Sequence, residues 1–300
     1  MHLFSNQVAM RRKTKIIFIT ALLSLCILLF GHNTLKKYIS LRPQQPRSAT
    51  LSIHSIENIP LPAGYERVNV TVSSFGAWVR KLPLRANNTV YLYNHQPKPD
   101  QSSHYAVIDI STGNEDLQQC ADAIMRLRAE YFYSGSEYAS IRFPAGNKTV
   151  FNFGEYVKGE RYFLRNGQLY KNYTNNASAC NSHECLMQFL RWVFIYCGTY
   201  TVDEQTKPVN NLNNIMPGDV FVKAGSPGHA MIVADVAVEK NTGKKIFLLA
   251  QGYMPAQDMH IVKNNNSSTL SPWYSVNDIR DKVYTPGFVF DKTDLKKWVE

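Results

Sequence analysis

Cysteine is scarce, five in 300 residues, which excludes a fold held together by a disulfide framework in a chain of this length. No CxxC or HxxH pairing occurs, so the sequence implies no metal site and no cofactor. Acidic residues are missing altogether from the first fifty positions, which carry eight of the 33 Lys and Arg residues. The rest of the chain is close to neutral, so the formal charge of +10 belongs to the tail. No basic, aromatic-interleaved stripe is present, and nucleic acid is set aside as a partner. Long apolar runs are also missing, with one exception near the N-terminus.

That exception begins after Arg11, Arg12, Lys13 and Lys15. Residues 16–30 are apolar but for Thr20 and Ser24, the pattern of a positive n-region followed by a hydrophobic segment. As a helix the run would be about 22 Å long at about 1.5 Å per residue, short against a hydrocarbon core of about 30 Å. Residues 1–31 are therefore read as a signal peptide or membrane anchor, with residues 16–30 as the membrane partner. The excess of positive charge on their N-terminal side puts the bulk of the chain on the extracytoplasmic side. Residues 32–60, which include Arg42, Pro43, Gln44, Gln45, Pro46 and Arg47, read as a juxtamembrane linker. Residues 61–300 suffice for one domain with a substantial core.

The pattern in that domain predicts α+β architecture, an antiparallel sheet with packed helices. Short runs rich in Val, Tyr and Ile at 67–72, 77–82, 89–93 and 104–110 read as strands. Leu117, Cys120, Ala121, Ile124, Leu127 and Tyr131 recur at helical spacing and predict an amphipathic helix over about 114–131. A second helix is expected over 184–196, stopped near Gly198. Runs at 220–223, 230–238, 245–251 and 259–263 read as buried antiparallel strands, with Asn241-Thr242-Gly243 turning a hairpin.

Chemistry is sought where a nucleophile and a base come together. His229 heads a strand directly after Gly225-Ser226-Pro227-Gly228, a setting that is rigid yet reachable, as a general base requires. Two cysteines compete for the nucleophile. Cys185 opens the second helix, although Cys180 is near enough in sequence to be bonded to it. Cys120 lies in the first turns of the earlier helix, where the dipole would favour a thiolate, but it also belongs to the apolar stripe. Gln251, ending the strand after His229, and His260, on the next strand, are alternative groups to orient the imidazole. Arg126 and Arg128 fit either an anionic substrate group or an ion-pair cluster with Glu130. Tyr253 and Trp273 fit either a substrate platform or the core.

A thiol on a helix, a Pro-Gly-Asp turn, a strand headed by histidine and a polar residue on the next strand resemble the chain order of NlpC-type papain-like cell-wall peptidases and amidases. That resemblance covers about residues 184–263 and implies a papain-like core there, with peptidoglycan peptide or another envelope amide as substrate. A second resemblance spans most of the chain. Asp116-Leu117-Gln118-Gln119-Cys120-Ala121-Asp122-Ala123, Arg126-Leu127-Arg128-Ala129-Glu130-Tyr131, Pro217-Gly218-Asp219-Val220-Phe221, Gly225-Ser226-Pro227-Gly228-His229-Ala230 and the stretch from Leu248 through Tyr253-Met254-Pro255-Ala256-Gln257 resemble the signature segments of the bacterial DUF4846 family. This likeness implies relatives without implying a reaction. Its signature includes the cysteine at Cys120, so resemblance favours Cys120 where spacing favours Cys185.

Overall fold

The structure is a computed structural model that describes residues 54–146, 149–173 and 179–299. The basic N-terminal segment and the apolar run at 16–30 lie outside the described residues. Among those described, no helix is long and apolar enough to cross a membrane.

The described residues make one unit of mixed α and β structure in which every strand pairing among them is antiparallel. In chain order its first half contains β1 (Tyr65–Arg67), α1 (Phe75–Arg80), β2 (His104–Val107), α2 (Cys120–Ser134), β3 (Arg142–Pro144), β4 (Val150–Asn152), α3 (Phe153–Val157), β5 (Glu160–Arg165) and β6 (Gln168–Tyr173). The second half contains α4 (His183–Tyr196), α5 (Thr199–Glu204), β7 (Thr206–Pro208), β8 (Val220–Lys223), β9 (His229–Glu239), β10 (Lys245–Gln251), β11 (His260–Val262), β12 (Tyr274–Ser275), β13 (Lys282–Thr285), β14 (Phe288–Asp291) and β15 (Leu295–Trp298). The principal sheet runs β2-β11-β10-β9-β8-β15-β7, with β1 added to β9 and β12 to β10.

The centre of this sheet is legible in its apolar content. On β9, Ala230, Ile232, Ala234 and Ala237 join Ile246, Leu248 and Ala250 of β10 in one core. Met231, Val233 and Val236 join Phe247 and Leu249 in a second core, which includes Phe290 and Leu295. Both faces of the strand pair are thus covered, and the sequence reads as apolar runs interrupted in β9 by Asp235 alone between Ala230 and Val238. The change of phase after Ala234 comes from a bulge: Leu248 pairs with Asp235 but Leu249 with Val233, leaving one extra residue on β9. Beside it, the fully buried Asp235 is held by Arg67 Nε at 2.7 Å and by Arg80 Nε. The guanidinium groups are completed by the carbonyls of Ile59, Val68 and Val236. The hairpin joining β9 to β10 turns where Asn241-Thr242-Gly243 predicts, with Gly243 at φ +71°.

Three local expectations are corrected. The expected strand at 77–82 is helix α1, capped by Ser74, whose Oγ accepts from the Ala77 N–H at 3.2 Å. Residues 89–93 form no ladder strand but only isolated bridges, Tyr91 with Pro97 and Leu92 with Gln257, while the N–H of Val90 is taken by the side-chain amide of Gln101. The first long helix begins at Cys120 and not near 114, because the preceding segment closes short turns through Leu117 N–H to Glu115 O and Gln119 N–H to Leu117 O. Cys120 is consequently the first helical residue.

Candidate functional site

Helix α2 starts with a capping box in which Asp122 Oδ2 accepts from the Gln119 N–H at 3.1 Å. Asp116, just upstream, joins this start to the segment after β10: its Oδ1 accepts from Gln119 Nε2 at 3.1 Å and from the Ala256 N–H at 2.6 Å. Gly252 permits the approach, since a Cβ there would stand 2.9 Å from Gln119 O and 3.0 Å from Ala123 Cβ. The helix N-terminus is therefore pressed against the end of β10, where Gln251 stands.

A cavity of about 810 Å³ opens at this junction, and Cys120 and His229 both line it, with Asp122, Cys197, Tyr253 and Phe288. His229 is buried, and its Nε2 lies 2.7 Å from Gln251 Oε1. Its ring packs against Tyr253 and Phe288, each with centroids at 5.1 Å, and against Phe290 at 5.8 Å. Burial pushes its pKa down to about 4 against the opposing effect of Gln251, so the imidazole is neutral at pH 7. Gln251 Nε2 lies 3.4 Å from His260 Nε2, and His260 Nδ1 lies 2.8 Å from Asp258 O. Of the two expected orienters, Gln251 touches His229 and His260 stands one step behind it.

The helix start does not make Cys120 a resting thiolate. Desolvation raises its pKa and outweighs the backbone N–H groups of Ala121 and Ala230 that face the sulfur. Among the described residues no hydrogen bond joins Cys120 to His229; the two share the cavity as a neutral thiol and a neutral imidazole. The Asp122 carboxyl is pushed up to about 8 by burial, and its Oδ1 has no hydrogen-bond partner among the described residues. Cys197, also free, is pushed up to about 12 by burial, its Sγ 3.7 Å from Pro144 O. No group of three or more His, Cys, Asp or Glu that could hold a metal ion is found among the described residues.

Four expected site residues are placed elsewhere. Cys185 is disulfide-bonded to Cys180, with Cα atoms 6.0 Å apart, and has no free thiol to offer. Arg126 is buried in structural bonds to Glu130 at 2.9 Å, Gln118 Oε1 at 2.8 Å and Ser111 O at 3.1 Å. Arg128 lines a different cavity, its guanidinium carbon 4.4 Å from the centre of the Phe132 ring and 5.1 Å from that of Trp298. Trp273 is a core residue with 1% of its surface exposed, and its indole N–H donates to Pro60 O at 2.9 Å. Tyr253, by contrast, does line the cavity, its hydroxyl donating to Gly287 O at 3.0 Å.

The sequence reading passed over Asp122, Cys197, Phe288 and Asp258. Only Asp122 carried a local signal, an acid three residues after the helix cap. Cys197 and Phe288 arrive from segments whose proximity depends on the tertiary fold.

Fold and site together define a mixed α/β antiparallel-sheet domain with a cavity lined by a helix-borne thiol and by His229, behind which Gln251 and His260 continue an imidazole–amide–imidazole row. The chain belongs to the family described as Domain of unknown function (4846), whose model matches residues 56–297. No curated protein matches it. No solved structure matches it either.

Proposed function

We propose that this protein is a thiol hydrolase of the cell envelope that cleaves an amide bond, with peptidoglycan peptide as the leading substrate class. The observation that carries the reading is the shared cavity, with Cys120 at a helix start and His229 held by Gln251. The order of a helix-borne cysteine, a histidine at a strand head and a polar residue on the next strand is the papain-like order, with Cys120 taking the nucleophile's place.

Because thiol and imidazole are both neutral at rest, the proton moves when sulfur attacks. Cys120 Sγ bonds to the substrate carbonyl carbon as its proton passes to His229. The N–H groups of Cys120 and Ala121, the first two of α2, are the donors for the oxyanion, those of Asp122 and Ala123 being taken up by Gln119. His229 then protonates the leaving amine as the C–N bond breaks; water, deprotonated by the same imidazole, adds to the acyl carbon, and the C–S bond breaks as His229 returns that proton to sulfur. Hydrogen bonds between catalytic groups are often long before substrate binds, which accommodates the missing thiol–imidazole bond. Export is supported by the basic residues flanking the apolar run at 16–30 and by the Cys180–Cys185 disulfide, a bond of oxidising compartments.

The test is release of soluble muropeptides from purified cell wall by wild type and by Cys120→Ala, His229→Ala and Cys185→Ala variants. Loss with the first two and retention with the third is expected. Full release by Cys120→Ala sinks the proposal. A second reading, a non-catalytic module that binds envelope polymer in the same cavity, is favoured by the raised thiol pKa and the absent thiol–imidazole bond. Saturable wall binding without any release by wild type would establish it.

A further inference from the structure

We infer that His260 is a positioning residue which, through the side-chain amide of Gln251, decides which nitrogen of His229 carries the proton. The polarity of the row is set from its far end. Asp258 O can only accept, so His260 Nδ1, 2.8 Å away, must donate to it. His260 has no exposed surface, and burial keeps it neutral, so its Nε2 carries no proton and can only accept. The group of Gln251 that faces Nε2 at 3.4 Å must then be the NH₂, which turns Oε1 toward His229. An amide oxygen accepts, so His229 Nε2, 2.7 Å from it, bears the hydrogen and Nδ1 is left bare.

Reversing the amide would set Gln251 Oε1 against the unprotonated His260 Nε2, two acceptors face to face in a dry interior. The end of the row is itself fixed. The Asp258 side chain is bound by Arg85 Nη1 at 2.8 Å, the Tyr91 N–H at 2.9 Å and Thr112 Oγ1 at 3.2 Å. His104, whose ring centre lies 5.7 Å from that of His260, bonds Asn88 O through its own Nε2 and does not compete for the row. The bare Nδ1 of His229 is the atom available to take a proton from a thiol. The catalytic meaning of the tautomer rests on the hydrolase reading; the tautomer itself does not.

The experiment is imidazole ¹⁵N NMR of the full-length protein labelled at histidine, with the His229 signals identified by their loss in His229→Gln. Wild type at pH 7 is expected to show the proton of His229 on Nε2. In His260→Leu, which removes the acceptor, the Nδ1–H tautomer should appear beside it, and any hydrolysis should fall about tenfold or more, as when outer-shell partners are lost elsewhere. His260→Gln, whose carbonyl reaches the position of Nε2, should restore the wild-type tautomer, which recovered packing alone would not do.

A wild-type His229 protonated on Nδ1, or Leu and Gln variants with the same His229 spectrum, overturns the assignment, and the wild-type spectrum decides even where His260→Leu fails to fold. The expected tautomer in a protein that hydrolyses nothing overturns the hydrolase reading and leaves the role of His260 standing. Hydrolysis by an enzyme whose His229 carries its proton on Nδ1 does the reverse.

Discussion

Gly252 lies so close to Gln119 that a methyl group on its Cα would stand 2.9 Å from the Gln119 carbonyl oxygen. This is the contact by which the end of β10 reaches the start of α2. Gly252→Ala is expected to lower stability by about 1–3 kcal/mol, the usual effect of forcing volume into a packed contact. It should also move Gln251 relative to Cys120. Thermal unfolding checks the first effect, and a change in Cys120 alkylation rate checks the second.

The thiols should separate by reactivity. Cys120 lines the cavity but has a raised pKa, while Cys197 is pushed up to about 12. Mass-spectrometric mapping with iodoacetamide should find Cys120 modified slowly at pH 7 and markedly faster at pH 9.5, with Cys197 resistant at both. Cys180 and Cys185 should become labelled only after reduction. Rapid, pH-independent labelling of Cys120 would show a resting thiolate and contradict the neutral pair.

Two buried groups pull the stability–pH profile in opposite directions. Asp122, raised to about 8, keeps its proton when folded but loses it near pH 4 when unfolded. Between these values the folded state binds more protons, so Asp122 removes stability as pH rises, by about 1.4 kcal/mol per unit. His229, lowered to about 4, is the reverse: from about pH 6.5 down to 4 the unfolded state takes the proton first, and stability falls on acidification. Denaturant titrations should show Asp122→Asn with a shallower loss from pH 5 to 8, and His229→Gln with a shallower loss from pH 6 to 4.

Asp235 has no exposed surface and two guanidinium partners. Asp235→Ala leaves Arg67 and Arg80 without their carboxylate and should destabilise the domain by about 3–5 kcal/mol. Reversible urea unfolding gives the number, and a loss below about 1 kcal/mol would mean that the arginines find other acceptors.

The central strands and α4 were legible in the sequence because their signals are long: an apolar run closed by a turn residue, or a helical stripe closed near Gly198. Shorter segments were not. Phe75, Ala77 and Val79 alternate over too few residues to separate a strand from a helix, and the deciding bond is Ser74 to Ala77. His229 and Gln251 were readable as strand-end polar groups on adjacent strands. What kept Cys120 and Cys185 level was covalent and tertiary: one is bonded to Cys180, and the other is brought to His229 by a glycine contact that no local pattern announces. Trp273 stayed open between platform and core because a loop aromatic looks the same whether it faces solvent or, as here, reaches inward to Pro60.

The bulge after Ala234 divides β9 into two stretches of opposite parity. The stretch that begins at His229 keeps one alternation with the cavity end, and the stretch from Asp235 onward keeps another with β1 and the two arginines. Substitutions at the cavity end that respect their own alternation place no demand on the far end. A single strand can therefore hold the fold constant at one end while its other end is varied toward a different ligand.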